Sequence, residues 1–477
     1  MTSIEHQERA ERRERIALLR TVPAADMKAA SEAATVEAFA RAIANVPAYR
    51  EIYSKWTATP ADQIVDIDSF CRHAPLLDKH MTFGGHDVRD LCLGGSLEGV
   101  KSFLTSSGHS GVFSFGVNTA ENLARSAQSI DMGLEYVFGV DSRRTLLINA
   151  LPMGVKVNTK ATVLAETSVR DDMVFALVQK FAVDFDQILI VAEGSFAKKI
   201  LEDGADLHGI DWKKLPVSLI VGEEGIAENY RDYVAGLLGI ADPTRAGGKL
   251  VMSSMGVAEL DLNIFHETPD TIAIRRLAHR DPALRRALFG DDTTVCPMFF
   301  VYYPQRCYVE ELPTGKTEPE LVISMLSAEM KIPLLRYRSG DLGRIFEPEQ
   351  VTEILAGFGH MMKPDLRLPF VAVYGRGQTV AERNGTLSPE EVKEAIYAEP
   401  EIAGRVTGNF RLNPTTDGPI DIVLQLRAGK TAPTNASARL ASALKAISAV
   451  PVAPRFLPFD GFPYNMQVDW ERKFRYV

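Results

Sequence analysis

Small hydroxyl residues crowd around two glycines in Thr105-Ser106-Ser107-Gly108-His109-Ser110-Gly111, between one apolar run and the next. Glycine lets the backbone bend tightly there, so N–H and O–H donors can converge on one point, and phosphate oxygens suit such a nest. No Gly-Lys-Ser/Thr follows, so this is not a Walker loop, and a plain Ser/Gly surface turn is the competing reading. Further along, GEEG (222–225) and SSMGVAEL (253–260) set the carboxylates Glu223, Glu224 and Glu259 just beyond apolar runs. In YRSGD (337–341), Asp341 follows Gly340, where a carboxylate on a tight glycine turn can accept hydrogen bonds from a ribose diol. The alternative there is a hairpin with Gly-Asp at its turn.

Elements that alternate must position these residues. TLLINALP (145–152), QILIVA (187–192) and VSLIVGEEG (217–225) are short apolar runs with helical sequence between them, including one helix around 171–182. That alternation predicts an α/β fold with a mostly parallel sheet flanked by helices, in which ligands gather at the carboxyl ends of the strands. Upstream, residues 5–56 carry apolar positions at helical spacing and predict two amphipathic helices leading into VPAYREIY, and residues 119–138 again have helical composition. PLLDKH (75–80) reads as a short apolar turn. Downstream come ELVISML (320–326), LLRYRSGDLGRI (334–345) and LPFVAVYGRGQT (368–379). Ser388 with Glu391 then forms a capping box that opens a helix at Pro389. The composition changes after Gly375 to a compact α+β unit that includes DIVLQLR and ASARLASALKAI. We therefore expect a large N-terminal domain over residues 1–375 and a small domain over 376–477.

With 477 residues, 46% hydrophobic and 24% charged, the chain can bury a sizeable core, and two domains are expected at this length. The net charge of -9 argues against a general nucleic-acid binder. No apolar run approaches the roughly 18 residues that span a bilayer, and the N-terminus lacks an apolar signal core, so a cytoplasmic protein acting on small molecules is expected. The four cysteines, Cys71, Cys92, Cys296 and Cys307, have no CxxC spacing and read as reduced thiols. A zinc site would have to draw on Cys296, Cys307 and a histidine such as His266, across ten intervening residues.

Taken together, TSSGHSG, GEEG, MGVAE, YRSGD, VYGRGQT and a lysine near the C-terminus occur in the order and approximate spacing of the adenylate-forming superfamily. The set most resembles that superfamily's phenylacetate–CoA ligase branch, and the resemblance spans nearly the whole chain. It implies that Ser106, Ser107, Gly108, Ser110 and Gly111 hold ATP phosphates, with His109 as a substitute donor. Gly222, Glu223 and Glu224 would border the adenine, Met255 and Gly256 would lie against the base, and Glu259 would help hold Mg²⁺. Asp341 would grip the ribose. Arg376 matches the arginine at the junction with a small mobile C-terminal domain, with Gln378 at the hinge. Lys473, in WERKFRYV, matches the catalytic lysine, whose ammonium would counter charge built up as a carboxylate attacks the α-phosphate.

The chain departs from the branch at several positions. Met255 stands where an aromatic residue stacks on adenine, Ala258 where a hydroxyl faces phosphate, His109-Ser110 where two threonines stand, and Val112-Phe113 where lysine and proline follow the loop. A thioether still packs on a purine face. The neighbourhood of LPMGVKVNT (151–159), with Leu151, Met153 and Val155, is placed to line an acyl pocket suited to an aromatic or aliphatic acid. The expected activity is ATP-dependent formation of acyl-AMP from a carboxylic acid, followed by transfer to coenzyme A. The alternatives are transfer to an amine or a carrier-protein thiol, and a non-catalytic relative that only binds nucleotide. A second copy of the chain, as a homodimer, is also among the partners left open.

Overall fold

Three runs of β-branched and leucine residues, TLLINA, QILIVAE and VSLIVG, are buried along essentially their full length, the pattern of strands covered by helices on both faces. The computed structural model describes residues 3–106, 111–152, 154–245, 247–315, 318–377, 380–382, 385–413, 418–462 and 476. Its strands, in chain order, are β1 (Val100–Thr105), β2 (Phe115–Thr119), β3 (Thr145–Ala150), β4 (Val163–Glu166), β5 (Gln187–Glu193), β6 (Val217–Gly222) and β7 (Val251–Val257). They continue with β8 (Asp261–His266), β9 (Met298–Val301), β10 (Cys307–Leu312), β11 (Glu320–Met325), β12 (Tyr337–Phe346), β13 (Phe370–Gly375), β14 (Val380–Glu382), β15 (Gly385–Leu387), β16 (Val406–Asn413), β17 (Ile420–Leu426) and β18 (Val452–Leu457).

The α/β class expected from the alternation is the one observed, with eleven strands in the order β10-β11-β12-β13-β9-β8-β7-β6-β5-β3-β4. From β4 to β7 every pairing is parallel. From β7 to β10 every pairing is antiparallel. Strand β7 joins the halves: Ser253 pairs with Val221 of β6, and the next residue, Ser254, pairs with His266 of β8. Periodicity could not foresee the antiparallel half, because β9 and β11 are as fully buried as the parallel strands and read the same way. A register shift follows at Gly256, where a Cβ would stand 2.2 Å from the Leu262 carbonyl oxygen, so only glycine fits.

The N-terminal segment forms the two expected helices, Ser3–Thr21 and Ala24–Asn45, and VPAYREIY supplies a third, Pro47–Trp56. Val46, extended at φ -111°, precedes Pro47 at the first helical turn, which ends one helix and starts the next. Around Gly340 the structure differs from both readings of YRSGD. β12 runs on from Tyr337 to Phe346 with irregular register, and Gly340, at φ 79°, makes a bulge within it.

Beyond Gly375 no described strand joins the large sheet. β16, β17 and β18 form a separate three-stranded sheet, accompanied by helices Pro389–Ala398 and Ala436–Lys445, and the Ser388–Glu391 capping box is formed. Helix Pro389–Ala398 lies on helix Glu228–Leu238, with the Tyr230 and Tyr397 rings edge to face at 5.0 Å. Among the described residues, no helix is long and apolar enough to cross a membrane.

Candidate functional site

Where the parallel strands end, the chain leaves a cavity of about 960 Å³. It is lined by Thr105, Ser106, Gly222, Glu223, Glu224, Met255, Gly256, Glu259, Asp341 and Arg376, so residues from five separate sequence motifs meet in one space. Gly111, at φ 81°, is not among the lining residues. Ser107, Gly108, His109, Ser110, Met153, Gln378 and Lys473 lie outside the described residues.

The Ser/Gly segment lies between β1 and β2, which pair as antiparallel strands. Ser106 N donates to Ser114 O at 3.0 Å, and Ser114 N donates to Ser106 Oγ at 3.0 Å, which closes the neck. Gly116 sets the hairpin's position, because a Cβ there would come within 2.3 Å of the Ala258 carbonyl oxygen. That close approach brings the hairpin against the residue preceding Glu259. Glu259 is 3% exposed; Tyr337 Oη donates to its Oε1 at 2.7 Å, and Lys79 Nζ lies 3.4 Å from the same oxygen. Burial and Glu259 together push the Tyr337 hydroxyl well above its usual range, so it stays a donor.

Lys79 was legible only as part of the turn PLLDKH. The structure pins that turn to β12 through Leu77 N to Arg336 O at 2.9 Å and Arg338 N to Leu77 O at 2.8 Å. Two residues further on, Lys79 reaches the cavity beside Glu259. Nearby, Arg338 holds Glu320 with a 2.6 Å ion pair, and both line the same wall.

The segment after β6 turns at Glu223, whose φ is 71°, and Glu224 accepts from Lys393 of the C-terminal unit. Arg275, buried at 1% exposure, braces this segment. Its guanidinium donates to Ile226 O at 2.6 Å, Cys296 O at 3.1 Å, Pro297 O at 2.7 Å and Glu228 Oε1 at 2.6 Å. Burial would raise the Glu228 carboxyl, but Arg231 and Arg275 outweigh it and hold the group down to about 2. Asp341 and Arg376, distant in sequence, meet at 3.3 Å between Nε and Oδ1.

Away from the polar walls the cavity is apolar, with Ile130, Leu134, Leu147, Leu151, Val155 and Val157 among its lining. Leu151 and Val155, from the LPMGVKVNT segment, belong to that lining. His266 also lines the cavity; burial, together with Arg306, pushes it down to about 4, so it is neutral, with Nε2 3.3 Å from Tyr303 Oη. Cys296 and Cys307 point to different carbonyls, Arg275 O at 3.7 Å and Tyr303 O at 4.0 Å, and burial pushes both thiols up to about 12. Among the described residues no group of three His, Cys, Asp or Glu side chains could hold a metal ion.

Two contributors escaped the sequence entirely. Lys393, on helix Pro389–Ala398, donates to Glu224 Oε2 at 2.7 Å, and Tyr476 Oη donates to the same oxygen at 2.9 Å. The Ser-Pro-Glu-Glu capping box foretold that helix, but nothing in its spacing tells which face meets the cavity.

No protein-family model and no curated protein matches this chain. Among solved structures, 2-hydroxyisobutyryl-CoA ligase in the postadenylation state, in complex with 2-HIB-AMP, matches 97% of this chain and 91% of its own at TM-score 0.68 and 14% identity. The same ligase in an open conformation, in complex with 2-HIB-AMP and CoA, matches 96% of this chain and 93% of its own at TM-score 0.57 and 14% identity. In the thioesterification state it matches 94% of this chain and 90% of its own at TM-score 0.55 and 14% identity. The likeness is one of fold, and it covers nearly the full length of both chains.

Proposed function

We propose that this chain, which has the fold of an adenylate-forming CoA ligase, activates a carboxylic acid with ATP to give acyl-AMP and pyrophosphate, and then passes the acyl group to coenzyme A. The observation that carries this reading is that Thr105, Ser106, Glu259, Asp341 and Glu224 line one cavity together with apolar side chains such as Ile130, Leu134 and Leu151. Its volume of about 960 Å³ is of the size expected for a small-molecule site.

In this account the backbone and hydroxyls of residues 105–111 cradle the phosphates, with His109 as a further donor, and Asp341 accepts from the ribose hydroxyls. Gly222, Glu223 and Glu224 border the base, with Met255 and Gly256 on the adjoining wall. The acid occupies the apolar end beside Leu151 and Val155, which favours an aryl or aliphatic acid. Its carboxylate attacks the α-phosphorus, the bond to the bridging oxygen of pyrophosphate breaks, and Lys473 and Lys79 supply cationic countercharge to the phosphate oxygens. The thiol of coenzyme A then attacks the acyl carbon and AMP leaves.

Mg²⁺ needs only one or two carboxylates when phosphate oxygens complete its shell, and Glu259 offers one buried carboxylate beside the hairpin. Glu259 would hold the ion, which when bound neutralises charge on the phosphates. Residues 376–477 act as the small domain that delivers Lys473, with 1–375 as the body. Lys473 lies three residues before Tyr476, and so many residues of chain span no more than about 11 Å.

The test is pyrophosphate release across a panel of carboxylic acids with ATP and Mg²⁺, with product masses recorded with and without coenzyme A. Acid-dependent release supports adenylation. A thioester mass that requires coenzyme A supports the ligase over an amine-acylating or carrier-protein relative.

A further inference from the structure

We infer that Lys393 and Tyr476 are positioning residues for adenylation: together they seat the C-terminal unit on Glu224, at the wall of the cavity. This rests on the adenylate-forming reading above. Three separate stretches of chain converge on one carboxylate oxygen. Glu224 follows β6 in the large unit, Lys393 sits on helix Pro389–Ala398, and Tyr476 is the penultimate residue, yet Lys393 Nζ at 2.7 Å and Tyr476 Oη at 2.9 Å both donate to Glu224 Oε2.

The two donors also hold each other. Lys393 Nζ lies 4.6 Å from the centroid of the Tyr476 ring, a cation–π contact in a largely desolvated place. Tyr476 is tied to β16 as well: its carbonyl accepts from Leu412 N at 2.8 Å, and its ring lies 4.5 Å from that of Phe410. Tyr476 is thereby fastened both to β16 and to the segment after β6. Burial works against the Lys393 charge, but Glu224 and Glu390 outweigh it, and the ammonium is held above its ordinary pKa.

A second set of contacts seats the same unit elsewhere. Lys198, on helix Gly194–His208, donates to Val406 O at 2.6 Å, and Arg427 pairs with Glu202 at 3.1 Å and Asp203 at 2.8 Å. Those contacts stand away from the cavity lining, whereas Glu224, Lys393 and Tyr476 are all part of it. Loss of Lys393 should therefore leave the unit folded and attached while releasing helix Pro389–Ala398 and Tyr476 from Glu224.

The experiment compares wild type with Lys393→Met, Tyr476→Phe and the charge exchange Glu224→Lys/Lys393→Glu. The two half-reactions are measured separately, using the acid that gives the fastest wild-type pyrophosphate release in the panel. Removing one partner of a desolvated ion pair should slow pyrophosphate release by Lys393→Met on the order of 100-fold, with a smaller loss for Tyr476→Phe. The KM for ATP should stay within about threefold, and thioester formation from presynthesised acyl-AMP and coenzyme A should keep its wild-type rate. The exchange variant should regain part of the lost rate. Equal slowing of both half-reactions, or none in either, would overturn the inference. Hydrogen exchange of helix Pro389–Ala398 decides the seating even for a chain that adenylates no acid: faster exchange in Lys393→Met supports it, and unchanged exchange overturns it.

Discussion

Replacing Asp341 with alanine should abolish discrimination between ATP and 2′-deoxyATP. Asp341 is 5% exposed and lines the cavity; its Oδ1 accepts from Arg376 Nε at 3.3 Å, while Oδ2 is buried with no hydrogen-bond partner among the described residues. A buried carboxylate oxygen without a donor is costly, and a ribose hydroxyl would satisfy it. The Arg376 side chain is 53% exposed, so its pairing with Asp341 adds little to stability, and the substitution should act mainly on nucleotide binding. Hydrogen bonds to a charged acceptor are each worth roughly 1.5–3 kcal/mol, so losing two of them should raise the Kd for ATP by about 100-fold or more. Removing only the 2′-hydroxyl should cost wild type about tenfold and the variant nothing, since the coupling lies between that hydroxyl and that carboxylate. Calorimetric titration of both nucleotides into both proteins completes the cycle. If Asp341→Ala still prefers ATP by the wild-type factor, Asp341 does not contact the ribose.

Three further outcomes follow from other residues. Gly116→Ala places a methyl group about 2.3 Å from the Ala258 carbonyl oxygen; the hairpin must shift away from Glu259, and steady-state kinetics should show a raised KM for ATP, with an unchanged KM marking the hairpin as uninvolved. Lys473→Ala should leave the Kd for ATP nearly unchanged while pyrophosphate release falls by about 10²-fold or more, because the ammonium counters charge that grows in the transition state; wild-type release would remove its catalytic role. Glu394 faces His279 at 3.3 Å at the contact between the C-terminal unit and the body, and burial, with Glu228 adding to it, raises its pKa from 4.5 to about 7. The folded state therefore holds the proton over a window in which the unfolded chain has lost it, and stability falls as pH rises from about 4.5 to 7, by up to about 3 kcal/mol for this group. Glu394→Gln should raise Tm at pH 8 relative to wild type and change it little at pH 5; an equal shift at both values would contradict that linkage.

What could be read from the residues alone tracks what is local. Buried-strand runs, the capping box at Ser388 and the carboxylates placed just after β6 and β7 are consequences of nearby chemistry, and they stand where periodicity put them. Asp341 likewise lines the cavity, although from a bulge inside β12 and not a turn. Long-range choices left no local trace. Strands β9 and β11 are buried on both faces in an antiparallel context, so their direction was invisible. Lys79 becomes informative only once Leu77 is bonded to β12, and Lys393 only once its helix lies on helix Glu228–Leu238. Tyr476 contacts Glu224 and Leu412, 252 and 64 positions away, which no spacing rule connects to it.

The central claim, that this cavity joins a carboxylate to AMP, is tested most directly by incubating the protein with [α-³²P]ATP, Mg²⁺ and the acid panel in the absence of coenzyme A, and separating enzyme-bound nucleotide. An acid-dependent acyl-AMP, lost in Asp341→Ala and converted to a thioester on adding coenzyme A, is the predicted result. Binding of ATP without acyl-AMP for any acid would mean that the cavity holds nucleotide but does not adenylate, and would contradict the account.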